Sequence, residues 1–255
     1  MRHLRLALLL SFSLVAALAA PLSLSAAPPE EKVWTTNYPL APGGEVAVTN
    51  VQGSIVVEGW DRPEVELTAV QLVSAGSTEA AIGVERGRDR LAVRTLYPAE
   101  NPEPVEVNYF LRVPRQVRLQ ELLTVNGDIQ VRNVEGAVAA RTLNGNIEQE
   151  GTVGSVRARA LNGNIHLAVR ALPSRKDELN LETINGHIQL LLPSRTDADL
   201  EMNTVAGRVE SQLLFTASDT PGDNALRARL GRGGSRVRLR TVRGNISVGE
   251  NLDVF

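Results

Sequence analysis

The chain has 255 residues, 27 basic against 29 acidic side chains, and no cysteine. Without cysteine there is no disulfide framework, zinc finger, thiol nucleophile, iron–sulfur cluster or lipid-bearing N-terminal thiol. A formal charge of −2, three His, two Met and 4% aromatic residues also argue against bulk attraction to nucleic acid, broad metal chemistry and aromatic stacking platforms.

Residues 1–26 stand apart from the rest. Arg2, His3 and Arg5 form a positive start, Leu6 to Leu18 is apolar, and Ala16, Ala17, Ala19 and Ala20 supply the small residues of a cleavage region. That is the layout of a secretory signal peptide, with cleavage fitting after Ala19, Ser25 or Ala26. The rival reading is an uncleaved anchor from Leu6 to Leu24, which Pro21 and the scattered serines disfavour. Residues 27–32, with Pro28-Pro29-Glu30-Glu31, read as the exposed start of a mature chain, and residues 33–255 as its one domain. No later stretch approaches 18 apolar residues, so no membrane-spanning helix is predicted after cleavage.

From Val46 onward the pattern is alternation with period two. Val46 and Val48, Ile55 and Val57, Val65 and Leu67, Leu91 and Val93, then Val105, Val107, Tyr109 and Leu111 read as short half-buried strands between Gly, Pro and Asn punctuation. Only Thr78 to Ile82 suggests a short helix. At the far end, Ile246, Val248, Leu252 and Phe255 resemble the close of an outer-membrane strand, but a barrel needs aromatic girdles that the few aromatics cannot furnish. Phe255 is therefore read as a core or cap residue.

A repeat organises the domain, most clearly over residues 122–255. Seven glycines, Gly53, Gly127, Gly145, Gly163, Gly186, Gly207 and Gly244, each follow an aliphatic residue by two positions and precede Ile or Val by two. Thr stands three before the glycine in five of the seven copies, and Asn immediately before it at Asn126, Asn144, Asn162 and Asn185. From Gly127 the spacings are 18, 18, 23, 21 and 37 residues, the last wide enough for two units with one degraded.

Asn-Gly turns the chain sharply, because glycine tolerates positive φ and lets neighbouring backbone approach. Such a turn serves a hairpin, whose strands pair with each other, or a solenoid, whose strands pair with their equivalents one rung away. In a bent, continuous strand the aliphatic residue at −2, the glycine and the Ile at +2 share one face. In a hairpin, positions +2 and +4 share a face with −3 and −5 instead. Each parity leaves a misfit, and the two 18-residue periods tip the expectation to an all-β solenoid of stacked rungs, with a meandering β-sandwich as the alternative. The four Asn would then stack as a ladder along one edge, sharing amide hydrogen bonds.

The Thr-x-Asn-Gly-x-Ile unit, with Pro42-Gly43-Gly44-Glu45-Val46-Ala47-Val48 and Gly53-Ser54-Ile55-Val56-Val57-Glu58-Gly59-Trp60-Asp61 before it, resembles a bacterial β-strand-repeat family of unknown function called adhesins, the toastrack-type domain. The likeness runs from about Val33 to Val254. It implies a stacked β architecture in the cell envelope, in some members a link to envelope-stress systems, and no catalytic residue set. Many relatives join the domain to a helical membrane segment or a regulatory domain; this chain carries only the signal-peptide pattern.

Candidate sites are few. His166 and His187 sit at +3 and +1 of different repeats and read as turn residues, with no metal site or cofactor expected. Gly231 to Arg236 lacks the Asp of calcium-binding β-rolls. Asp197 and Asp199, and Asp61, Glu64 and Glu66, are the acidic groups a glycan-cleaving β-helix would need, but they fall at loops or strand starts. Seven arginines, Arg227, Arg229, Arg232, Arg236, Arg238, Arg240 and Arg243, lie within 17 residues with no acid between them. Arg236, Arg238 and Arg240 alternate with Val237 and Leu239, so one strand would carry an outward basic stripe. The stripe suits an anionic envelope polymer, lipid headgroups or an envelope protein, and is equally what a solvated strand face looks like. The expectation is an exported, non-enzymatic β-repeat protein, periplasmic or at the cell surface, acting as a binding or structural surface. An envelope-stress component with a membrane partner, and a glycan-acting β-helix enzyme, are the alternatives.

Overall fold

In the computed structural model, residues 29–99, 105–172, 175–217 and 223–252 are described. The predicted signal peptide and Phe255 lie outside them. All regular structure among the described residues is β-strand. The first seven strands are β1 (Glu30–Pro39), β2 (Glu45–Thr49), β3 (Ile55–Trp60), β4 (Glu64–Val73), β5 (Ala81–Arg86), β6 (Arg90–Leu96) and β7 (Glu106–Pro114). The repeat region supplies β8 (Arg118–Asn126), β9 (Ile129–Arg132), β10 (Val138–Asn144), β11 (Ile147–Val153), β12 (Val156–Asn162), β13 (Ile165–Ala171), β14 (Glu178–Asn185) and β15 (Ile188–Leu192). The last six are β16 (Ala198–Ala206), β17 (Val209–Ser211), β18 (Thr216–Ala217), β19 (Ala225–Leu230), β20 (Ser235–Arg243) and β21 (Ile246–Glu250).

The strands form two sheets, a ten-stranded one ordered β1-β4-β7-β3-β9-β11-β13-β15-β21-β17 and an eleven-stranded one ordered β18-β19-β16-β20-β14-β12-β10-β8-β2-β6-β5. Each Asn-Gly turn carries the chain from the larger sheet to the smaller, and equivalent strands pair in parallel from one rung to the next. Ile129, Ile147, Ile165 and Ile188 are thus direct neighbours in adjacent strands. The fold is the expected β-solenoid. The alternative survives only in its outline, since two sheets do face each other, but their strands pair between rungs and not along a meander.

Two rungs are out of chain order. The rung β20–β21 lies between β14–β15 and β16–β17, and β2–β3 lies between β6–β7 and β8–β9. The 37-residue interval is therefore no pair of repeats with one degraded. It holds the antiparallel strand β19, which runs along β16 and pairs in turn with β18. At the opposite end β4 runs antiparallel against β7, β1 antiparallel against β4, and β5 antiparallel against β6. These antiparallel strands cap a stack whose parallel rungs would otherwise continue to add neighbours.

The suggested helix at Thr78 to Ile82 is absent. Gln71 grips the Ala80 backbone with both amide atoms, donating to its carbonyl at 2.9 Å and accepting from its N–H at 3.0 Å. Ala81 then begins strand β5, where ladder bonds to β6 replace the intrahelical ones that this short, uncapped stretch would need.

The corner is where sequence and packing meet. The N–H of Gly145 donates to the carbonyl of Asn162 in the next rung at 3.0 Å, while Thr142 donates its buried hydroxyl to the Gly127 carbonyl at 3.0 Å. Thr124, Thr183, Thr204 and Thr241 make the same bond to Gly53, Gly163, Gly244 and Gly186. Asn50 replaces the threonine in its rung and donates to the Val107 carbonyl at 2.8 Å. These bonds draw the rungs so close that no side chain fits on the glycine. A Cβ on Gly145 would stand 2.0 Å from the Gly127 oxygen, and one on Gly163 1.8 Å from the Gly145 oxygen. Close approach, more than positive φ, fixes glycine here.

The core between the sheets is built from columns. Position −5 (Leu122, Ala140, Ala158, Leu181, Met202, Leu239), the threonines at −3 and the Ile at +2 are all buried. At roughly 1.5–3 kcal/mol for each large aliphatic side chain, the Ile column alone outweighs any set of exposed ion pairs. One column has a polar member: Gln149 lies between Val131 and Leu167, 1% exposed, and its amide finds no hydrogen-bond partner among the described residues. At the β6–β7 end Tyr109 is fully buried beside Thr95, 2.7 Å from its hydroxyl, and burial pushes the phenol up to about 12.

Gly145→Ala is expected to cost about 3 kcal/mol or more in chemical denaturation, because the backbone of the neighbouring rung at Gly127 and Asp128 must move. Gly87→Ala, whose added Cβ meets only ordinary contacts at 3.5 Å, is expected to shift stability by less than about 1 kcal/mol.

Candidate functional site

The corner reverses the parity expected of a bent strand. Because −3 and −5 face the core together with +2, the aliphatic residue at −2 faces outward on the larger sheet. Leu143, Leu161, Ile184, Val242 and Val205 are 40%, 38%, 42%, 40% and 69% exposed. They lie side by side on β10, β12, β14, β20 and β16, an uninterrupted aliphatic row across five strands. At the usual strand spacing the row is about 19 Å long.

Two polar rows border it at the corner. Asn144, Asn162 and Asn185 each donate an amide N–H to the Asn side-chain oxygen of the preceding rung, at 2.7, 2.8 and 2.8 Å. Asn126 extends the ladder to Gln52 and Arg243 caps its other end at 3.3 Å. This is the ladder predicted from the repeated Asn. One residue beyond the glycines a second row forms, in which Asp128, Asn146, Asn164, His187 and Asn245 each accept the backbone N–H of the neighbouring rung. His187 is held there by Asn245, whereas His166 lies on the smaller sheet's outer face, 3.1 Å from Gln189.

On the other side of the aliphatic row stand charged side chains. Strand β20 alternates as predicted, with Val237 and Leu239 buried and Arg236, Arg238 and Arg240 outward. The stripe is not a bare positive field. Its strand is flanked by β14 and β16, which bring the acids that the local sequence lacks. Arg236 meets Glu178 at 2.9 Å, and Arg238 and Arg240 both reach Glu201, at 3.4 and 3.0 Å. Arg229 pairs with Asp199 at 2.9 Å and Arg232 with Asp197 at 3.1 Å. Arg227 stands opposite Glu201 in the register of β19 on β16. The Arg229 guanidinium holds Asp199 below the usual carboxylate range, Arg240 does the same for Glu201, and the Arg232 backbone N–H for Asp197.

The excess of positive charge lies elsewhere on this face, at β10 and β12. Arg141, Arg157 and Arg159 project there; Glu182 pairs with Arg159 at 3.0 Å, and exposed Glu121 on β8 lies diagonal to Arg141 without pairing with it. Arg141 and Arg157 are exposed and make no ion pair among the described residues. A groove of about 510 Å³ follows the aliphatic row, with Leu143, Leu161 and Ile184 in its floor and Arg141, Arg159 and Arg240 in its wall. The acidic residues of the glycan-enzyme alternative do not converge: Asp61 binds Arg115 at 2.7 Å, Glu66 binds Arg112 at 3.3 Å, and Asp197 and Asp199 bind different arginines.

The molecule is thus a capped two-sheet β-solenoid with a patterned outer face. The family model described as Toastrack DUF4097 matches residues 39–249, and the chain belongs to that family. No protein of curated function matches it. Among solved structures it is similar to a candidate cell adhesion protein from Clostridium sporogenes, 11% identical over 86% of this chain and 100% of that one, with a TM-score of 0.47. It is similar also to a candidate adhesin from Bacteroides fragilis, at 8% identity, 88% and 99% coverage and a TM-score of 0.35. A candidate lipid binding protein from Parabacteroides distasonis shares 9% identity over 86% and 96%, with a TM-score of 0.29. With scores below 0.5, these likenesses say nothing of what this chain binds.

The ion pairs of β20 predict a charge-swap result. Arg238→Glu places a fourth acid beside Glu201, Glu178 and Asp199 and is expected to cost about 1 kcal/mol in urea denaturation. Adding Glu201→Arg is expected to recover most of that loss, and a double-mutant cycle measures the coupling.

Proposed function

We propose that this chain is an exported, non-enzymatic protein of the bacterial cell envelope and that the outer face of its larger sheet is a binding surface. The N-terminal pattern of Arg2, Arg5, the apolar run from Leu6 to Leu18 and the alanines after it supports export. The observation that carries the binding reading is the order of that face. Rung after rung holds side chains at one height, so aliphatic and amide groups form continuous rows on a rigid support, with guanidinium and carboxylate groups interleaved beside them. A ligand meeting such rows gains many equivalent contacts without ordering a loop. The arginines of β19 and β20, namely Arg227, Arg229, Arg236, Arg238 and Arg240, belong to this surface with those of β10 and β12. Its ligand is an anionic component of the envelope.

An affinity pull-down from envelope fractions tests this. The purified chain is expected to retain an envelope component. Replacing the five arginines of β19 and β20 together with Arg141 and Arg157 by Gln is expected to reduce its capture about tenfold or more. A variant at Arg132 and Arg170 on the other sheet is expected to retain it. Equal capture by all three, or none by the parent, contradicts the proposal.

A further inference from the structure

Four features on the outer face of β10, β12 and β14 have no structural necessity behind them. The −2 side chains add nothing to the core, yet every rung places an aliphatic group there and leaves 38% or more of it exposed from Leu143 to Val205. A contiguous apolar row of that length is unusual on a free surface. The row forms the floor of a groove, and the groove's volume of about 510 Å³ lies in the range of small-ligand sites. Finally, Arg141, in the groove wall two residues from Leu143, and Arg157, its diagonal neighbour on β12 just outside the groove, are exposed guanidiniums that make no ion pair among the described residues. The arginines of β20 are already satisfied by Glu178 and Glu201.

We infer that this groove binds one anionic lipid, its acyl chain lying across the strands along Leu143, Leu161 and Ile184 and its phosphate held at the groove's edge between Arg141 in the wall and Arg157 just beyond it. The chemistry is complementary at both ends. An acyl chain removes aliphatic surface from water, and the floor offers it a straight strip four strand spacings long, roughly 19 Å. A phosphate takes the fork of a guanidinium through two parallel hydrogen bonds, and two forks with no internal ion pair give it a preference over a zwitterionic headgroup. The inference rests on the reading of this face as a binding surface and names its ligand class.

The test uses single-chain lipids and isothermal titration of the purified chain. Palmitoyl lysophosphatidylglycerol, monomeric and below its aggregation threshold, is expected to bind. Palmitoyl lysophosphatidylcholine is expected to bind about tenfold or more weakly, and glycerol 3-phosphate, which lacks the chain, to give no measurable heat. Arg141→Gln with Arg157→Gln is expected to lower affinity for the anionic lipid about tenfold and to weaken the zwitterionic one less, so that the difference between the two shrinks. Leu161→Thr with Ile184→Thr, both outward and tolerant of a β-branched polar residue, is expected to weaken both lipids. Equal binding of the two lysolipids, or no effect of the arginine pair, overturns the inference. So does a change of oligomeric state in the Leu161/Ile184 variant by sedimentation, which would make the row a contact between copies. If the envelope pull-down succeeds while the anionic lysolipid fails to bind, the lipid assignment falls and the binding surface stands.

Discussion

The whole molecule depends on how closely one rung lies on the next at the glycine corner. The glycine N–H, its carbonyl and the threonine three residues before it lock each turn to its neighbour, and a Cβ on Gly145 or Gly163 would stand at 2.0 or 1.8 Å from a carbonyl oxygen. Everything else follows from that approach. It sets the parallel register that stacks Ile on Ile, aligns the Asn amides within hydrogen-bond reach, and turns the −3 residue inward so that −2 must face out.

Hydrophobic columns supply the stability, and charges choose the order. Fully buried Ile and Leu side chains at roughly 1.5–3 kcal/mol each dominate exposed ion pairs worth about 0.2–1 kcal/mol. Columns alone do not say which rung lies beside which, because all rungs present similar cores. In simple chain order β16 would lie on β14, with Asp199 against Glu178. Inserting β20 between them opposes Arg236 to both acids and Arg238 to Glu201. The charge pattern of three strands thus selects the insertion, an instance of specificity obtained from groups that add little to stability.

Much of this was legible in the sequence. The glycine spacing carries the repeat, the alternation carries the strands, and the repeated Asn before glycine carries the amide ladder. The solenoid follows because each of these is a local pattern read once per rung. What stayed hidden is non-local. Parity across the corner depends on the exact bend, so the −2 residues looked like core when they form the outer row. The arginines from Arg227 to Arg243 looked unopposed because Glu178 and Glu201 lie dozens of residues away and reach them only through the inserted rung. Arg141 and Arg157, 16 positions apart in the sequence, carried no signal until parallel pairing set them side by side. A count of charge per rung, rather than per stretch of chain, would have found them.

The outward turn of the aliphatic row is the central claim, and the absence of cysteine makes it directly measurable. Single-cysteine variants at Leu161 and Ile165, four residues apart across one corner, can be labelled with a soluble maleimide under native conditions. The account predicts labelling at Leu161→Cys nearly as fast as in denaturant and protection of Ile165→Cys, which replaces a side chain 1% exposed. Protection at both positions would put −2 and +2 on one buried face and contradict the corner, the row and the groove built on it.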